Sequence, residues 1–282
     1  MPVPTLPLET PSSGTRQPSA EAIRFEDVSL AFDDKQILNN ISFRLAHGET
    51  KALFGVAGSG KSTILKLALG LMKPDSGRIY VLGEEVTQMS EKDLFTLRGR
   101  VGMVFQESAL FDSFTVRENV AFRLIEDGDV AESEIDRRVR EALSFVELEH
   151  TVDMFPAELS GGMRRRVAIA RAIITQPEVI LYDSPTGGLD PVTSTTIVEL
   201  IVKQRDVYKT SSLMVTHRLQ DAFIMATHYF DRKANKMQPL ASGTRSEVPM
   251  AFLILREGKV IFDGDLDELA KSKDEYIREY IS

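Results

Sequence analysis

Residues 55–63 read Gly55-Val56-Ala57-Gly58-Ser59-Gly60-Lys61-Ser62-Thr63. The apolar run Ala52-Leu53-Phe54 leads into them, and a helically spaced stretch, Ile64-Leu65-Lys66-Leu67-Ala68, leads out. A buried strand, a glycine-rich turn and a helix form the unit in which successive backbone N–H groups cradle phosphate oxygens. Gly55, Gly58 and Gly60 admit the backbone angles such a turn needs. The helix behind the turn aims its free donors and positive dipole end at the same anion. In this pattern Lys61 neutralises β- and γ-phosphates, the Ser62 hydroxyl ligates Mg²⁺, and Ser59 and Thr63 line the nucleotide. The stretch therefore predicts a P-loop α/β core, with kinases, GTPases and ATPases all still open.

Outward from the loop, residues 23–32 and 41–45 alternate as half-buried antiparallel strands. The helix after the loop is expected to run on to Lys73-Pro74. Residues 101–105, 178–183, 211–217, 251–257 and 259–265 read as further strands. Residues 116–148 are polar and helix-like, Ser160 opens another helix, and one more follows Pro191. Short buried strands alternating with helices imply a mainly parallel sheet with helices on both faces. Residues 1–20 are rich in Pro, Ser and Thr and are expected to form a disordered tail. Residues 21–282 then make one domain, with a helical subdomain at about 107–160. The polar, aperiodic stretch at about 231–248 is expected to be a surface loop or insertion, and residues 273–282 a short amphipathic helix.

With 282 residues, 43% hydrophobic and 27% charged, the chain has an ordinary globular balance and length enough for a sizeable core. It lacks cysteine, so disulfides and thiolate metal sites are excluded. A net charge of −8 argues against a non-specific nucleic-acid partner. No apolar run approaches the roughly 20 residues of a membrane helix, and the N-terminus lacks a secretory pattern. A membrane role would be exercised from the cytoplasmic face through a partner.

A second cluster lies at Leu159-Ser160-Gly161-Gly162-Met163, followed by Arg164, Arg165 and Arg166. Ser160 can cap the helix while the amides of Gly161 and Gly162 stay accessible to an anion; the arginines read as a solvated helix face. The strand Val179-Ile180-Leu181-Tyr182 ends in Asp183, a carboxylate suited to Mg²⁺. Gly187-Gly188-Leu189-Asp190 follows, and His217 stands after a later strand.

Together with Gln106, these motifs resemble the ABC (ATP-binding cassette) ATPase family in content, order and spacing, from about Ile23 onward. The resemblance implies a RecA-like P-loop core, an antiparallel β subdomain and an inserted α-helical subdomain. It also implies roles. Phe32 would stack on adenine, and Gln106 would sense Mg²⁺ and the attacking water. Ser62, Gln106 and Asp183 would attend the metal. Ser160, Gly161 and Gly162 would contact the γ-phosphate of ATP held by a second copy, Asp190 would organise that interface, and His217 would contact the γ-phosphate. ATP and Mg²⁺ are the implied cofactors, and a homodimer sandwiching ATP is the implied unit.

One position departs from the family. Where the resemblance calls for a glutamate that activates water, the chain carries Ser184, between Asp183 and Pro185. A serine hydroxyl with its ordinary pKa is no general base near pH 7, so hydrolysis is expected to be slow. Residues 106–122 and 159–172 are similar to the ATPases of Mla-type, Mce-associated phospholipid-trafficking systems. That likeness implies an integral membrane permease and an Mce-type lipid-binding protein as partners, with Leu110, Phe111 and Phe114 near the permease. An importer ATPase for a polar solute and a non-transport regulatory ATP-binding protein stand as alternatives.

Overall fold

The computed structural model describes residues 21–33, 35–241 and 244–281. The tail expected over residues 1–20 lies outside the described residues. The period-two patterns at residues 23–32 and 41–45 become β1 (Glu21–Phe32) and β2 (Lys35–Ala46), paired antiparallel, with β2 beginning before its pattern does. β3 (Thr50–Gly55) is buried along its whole length and feeds the glycine-rich loop into α1 (Lys61–Ala68). β4 (Ser76–Val81) and β5 (Glu84–Glu85) return to the first sheet, whose order is β2-β1-β4-β5.

α1 is shorter than its pattern suggested. Gly70 (φ 63) donates to Leu67 O at 3.0 Å, and Leu71 N–H reaches back to Lys66 O at 2.9 Å. This left-handed glycine cap closes the helix before Lys73-Pro74 is reached. A Cβ at Gly70 would meet Leu94 at 2.5 Å, so the turn is also a close approach between elements.

α2 (Glu91–Arg98), capped by Ser90, leads into β6 (Val101–Val104). α3 (Val116–Asp127) opens with a Thr115–Glu118 capping box, and α4 (Glu132–Phe145) follows. Next come α5 (Gly161–Ile173), β7 (Val179–Asp183), α6 (Pro191–Tyr208), β8 (Ser211–Val215) and α7 (Leu219–Thr227). β9 (His228–Asp231) and β10 (Lys236–Pro239) make a hairpin, and β11 (Met250–Arg256) pairs antiparallel with β12 (Lys259–Gly264). α8 (Leu266–Ala270) and α9 (Glu275–Ile281) end the chain.

The second sheet runs β12-β11-β3-β8-β7-β6, parallel except for β12. Its residues alternate between two cores. Phe54, Tyr182, Met214 and Phe252 pack with the helices from α3 to α9. Leu53, Leu181, Leu213 and Leu253 pack with α1, α2 and the antiparallel sheet. Both faces are covered, which is why these strands read as unbroken apolar runs. A mixed α/β core, an antiparallel β subdomain and a helical subdomain are the three parts the sequence led us to expect.

The stretch expected to be a polar loop is partly ordered as the β9–β10 hairpin on α6. Phe230, opposite Met237 in the pairing, is buried. The Asp206 carboxylate on α6 accepts the Phe230 N–H at 2.7 Å, and Glu199 accepts the Met237 N–H at 2.9 Å. Four-residue strands are too short for alternation to register, and half of this hairpin's support comes from a helix earlier in the chain.

Candidate nucleotide site

β3 and α1 fix the ends of the glycine-rich loop. A Cβ on Gly55 (φ 153) would collide with Leu255 O and Ser59 Oγ, both at 2.6 Å, and one on Gly60 (φ 93) with Leu38 at 2.6 Å. Gly58 (φ 78) faces open space instead, with no heavy atom within 4 Å of a built Cβ. Gly60 is also the N-cap of α1, and no side chain caps that helix. Its first-turn N–H groups are therefore not claimed by a capping side chain, the condition an anion site needs.

Lys61 is 4% exposed. Its ammonium donates to Gly55 O at 2.8 Å, Val56 O at 2.9 Å and Ser59 Oγ at 3.4 Å, so it is strapped across the loop. Burial pushes its pKa below the ordinary lysine value, and the nearby Asp183 charge opposes the shift. Ser62 Oγ donates to Asp183 Oδ1 at 3.0 Å, which brings the two expected metal ligands together. Thr63 is half-buried beside them. Among the described residues no cluster of three or more His, Cys, Asp or Glu side chains could hold a metal. A hydroxyl and one carboxylate facing a phosphate cradle suit Mg²⁺, which keeps water and phosphate oxygens among its ligands.

β7 ends at Asp183, and the chain then turns through Ser184 in a left-handed conformation (φ 46). The Ser184 N–H donates to Val215 O at 2.8 Å, and its carbonyl accepts the Gly187 N–H at 2.9 Å. Its hydroxyl is buried and has no hydrogen-bond partner. Gln106 is exposed and borders this turn: a Cβ on Gly187 would lie 3.7 Å from Gln106 Cγ and 3.4 Å from Ser184 Cβ. His217 follows β8. Partial burial, then the Lys61 charge, push its pKa down against the pull of Asp183, so the ring is neutral at pH 7. Phe32, at the end of β1, leaves 45% of its surface exposed.

The atoms nearest a Cβ built on Gly161 or Gly162 include none from the glycine-rich loop. Ser160 caps α5 by accepting the Met163 N–H at 3.2 Å, and the side chains nearest Gly161 and Gly162 include Leu189 and Thr193. Asp190 caps α6, accepting from Val192 and Thr193 N–H at 3.0 Å each. The Thr193 hydroxyl and amide hold its carboxyl below the usual range. Phe111 is 42% exposed and packs against Phe114 and Phe122, with centroids 5.2 and 4.7 Å away; Leu110 is half-buried.

The arginine run is not the solvated face expected of it. Arg165 is 5% exposed and donates to Phe105 O at 3.1 Å, Ser184 O at 3.3 Å and Gly187 O at 3.4 Å. Arg166 is half-buried and donates to Val146 O at 3.1 Å. Asp221, buried on α7, accepts the Thr186 hydroxyl, and Arg218 stands 3.5 Å from it. Nothing in the local sequence marks Arg165 or Asp221, because their partners are a backbone turn and a distant threonine.

Comparison with known proteins agrees with this geometry. The family model "ABC transporter" matches residues 38–187. The chain is 37% identical over 276 residues to protein TRIGALACTOSYLDIACYLGLYCEROL 3, chloroplastic, of Arabidopsis thaliana, covering 95% of this chain and 75% of that one. It is 40% identical over 183 residues to the methionine import ATP-binding protein MetN of Carboxydothermus hydrogenoformans, covering 65% of this chain and 54% of that one. Among solved structures, a dimeric post-hydrolysis state of the ATP-binding cassette MJ0796 with ADP and Pi superposes with a TM-score of 0.72. That match is 28% identical and covers 86% of this chain and 98% of the other. The chain belongs to the ABC transporter family, as an ATP-binding subunit.

Proposed function

We propose that two copies of this chain sandwich Mg-ATP beneath a membrane permease and drive the movement of a phospholipid or similar hydrophobic solute. The observation that carries the sandwich is that the two motifs keep different neighbours within one copy. The glycine-rich loop with Ser62 and Asp183 forms one half of a nucleotide site, while Ser160, Gly161 and Gly162 pack beside Leu189 and Thr193. A second copy supplies the missing half. The dimeric cassette named above supports the same reading.

In that site the loop amides and Lys61 hold the phosphates, Phe32 offers its exposed ring to the adenine, and Ser62 and Asp183 hold the metal, with Gln106 next to them. Bound there, Mg²⁺ neutralises charge on the transferred phosphoryl group. His217 can donate a hydrogen bond to a phosphate oxygen, and Gln106 can orient water. Asp190 braces the contact between copies from its place at the head of α6. Ser184 can neither accept the water's proton nor lend it negative charge, so turnover is slow.

A lipid cargo is supported by the relative named for trigalactosyldiacylglycerol, which aligns with 95% of this chain. The likeness of residues 106–122 and 159–172 to Mla-type ATPases adds an Mce-type protein to the proposed assembly. Import of a polar solute is the second reading, favoured by the likeness to the methionine import protein. Among the described residues no helix is long and apolar enough to cross a membrane, which suits a peripheral subunit on the cytoplasmic face.

Phosphate release measured for this chain beside its Ser184→Glu variant, with dimerisation in Mg-ATP followed in the same samples, tests the reading. The variant is expected to turn over about 10²- to 10⁴-fold faster, the range a positioned base supplies. Equal rates would sink the account of Ser184, and monomers at saturating Mg-ATP would sink the sandwich.

A further inference from the structure

Among the described residues, Arg165 is the one side chain whose hydrogen bonds reach both the Gln106 loop and the Ser184 turn from α5. We propose that it is a positioning residue, setting these two loops in register with the helix that Ser160 opens. The extension to catalysis rests on the sandwich reading above; the mechanical claim does not.

The argument begins with its acceptors. Phe105 O immediately precedes Gln106, and the carbonyls of Ser184 and Gly187 bracket the turn after β7. These loops leave neighbouring strands, since β6 pairs with β7, but beyond the strand ends no ladder hydrogen bond ties them together. A planar guanidinium can span several carbonyls with fixed geometry, whereas a lysine ammonium is a point charge on a flexible stem. Burial pushes the Arg165 pKa below the ordinary arginine value, against the pull of Glu107 beside Gln106 and of Asp183 at the end of β7.

Two further facts fit a brace under load. Ser184 holds a left-handed backbone that a non-glycine residue keeps only when its surroundings impose it. Arg165 binds the carbonyl of that residue. The fork is also incompletely used: Arg165 Nε and Ser184 Oγ are both buried without hydrogen-bond partners. A tilt of α5, as when Ser160 meets the nucleotide of a second copy, is carried by Arg165 to Gln106 and Ser184 of its own chain.

The test compares the full chain with its Arg165→Met, Arg165→Lys and Val167→Ala variants. Val167 is fully buried on the same helix, so its truncation loosens the core without touching the fork. Amide hydrogen exchange is followed for peptides covering residues 105–112 and 184–190, without nucleotide. Arg165→Met is expected to speed exchange in both peptides about ten-fold, the worth of a charge-assisted hydrogen bond, and Arg165→Lys by less. Val167→Ala should leave the two peptides near the parent rate. Unchanged exchange in Arg165→Met, or equal acceleration by Val167→Ala, overturns the proposal; should Arg165→Met fail to fold, Arg165→Lys decides by the same readout.

Dimerisation in Mg-ATP, measured by sedimentation beside binding of a fluorescent ATP analogue at low protein concentration, tests the catalytic extension. Arg165→Met is expected to weaken dimerisation about ten-fold with analogue binding within about two-fold of the parent. If the parent itself stays monomeric, the sandwich reading fails, while the exchange data still judge Arg165.

Discussion

At the scale of single residues, the loop after β7 is held by two buried charges. Arg165 grips its carbonyls, and Asp221 accepts the hydroxyl of Thr186 within it. Burial raises the Asp221 pKa above its ordinary 3.8, against the pull of the Thr186 hydrogen bond and the Arg218 charge. The native state then binds the proton more readily than the unfolded chain, so protonation adds stability below pH 3.8 that is lost as pH rises through the folded value. Asp221→Asn keeps an acceptor for Thr186 and removes the titration. The stability of the parent minus that of the variant, from urea unfolding at about pH 4 to 7, should therefore fall as pH rises. A flat or rising difference would show that Arg218 outweighs burial. Lys61→Ala makes a second test. Losing an ammonium that spans the loop should weaken ATP binding by about 10- to 100-fold, measured with the fluorescent analogue, and lower the melting temperature, because Gly55 O and Val56 O lose their donor. Lys61, Ser62 and Asp183 were legible because each has a set place in a local motif. Arg165 and Asp221 were not, because turns far away in sequence decide what they touch.

Secondary-structure elements were legible where their pattern is long and locally supported. Residues 23–32 and 41–45 alternate and both became strands, although β2 begins earlier, at Lys35, where the alternation is broken. α1 overran in the sequence reading because Leu69, Leu71 and Met72 continue its apolar spacing, whereas Gly70 ends the helix by backbone geometry. The β9–β10 hairpin was hidden because α6 supplies its support. Arg205, 1% exposed, donates to Met225 O and to His228 O at 2.9 Å and pairs with Asp206 at 2.7 Å. Asp206 in turn accepts the Phe230 N–H. Arg205→Met removes the cation and leaves a largely buried carboxylate and two carbonyls without it. The expected cost is about 3 kcal/mol in urea unfolding, with faster amide exchange across residues 228–239. A midpoint matching the parent's would mean that the hairpin is held without Arg205, by packing and by its hydrogen bonds to Asp206 and Glu199.

On the scale of the whole molecule, the order of motifs disclosed the fold, but the proposed site shared between copies is only half visible in one chain. The same holds for the surface proposed to meet a permease. Asn119 is buried and organises that surface from within: it accepts the Phe111 N–H at 2.8 Å and donates to Phe111 O and Phe114 O at 3.0 and 3.1 Å. Arg171 holds the preceding segment through Ser108 O and Ala109 O, each at 2.8 Å. On the proposed reading, Phe111, 42% exposed on this braced loop, supplies an apolar contact to the permease. Phe111→Asp puts a charge into that contact, where desolvation would penalise it, while leaving the Asn119 hydrogen bonds to the backbone available. The variant should melt and dimerise in Mg-ATP as the parent does. The fraction recovered with permease-containing membranes should fall about ten-fold, roughly what truncating one interface anchor costs. Full retention on those membranes would move the permease contact away from residues 110–114 and leave the exposed ring a feature of the helical subdomain alone.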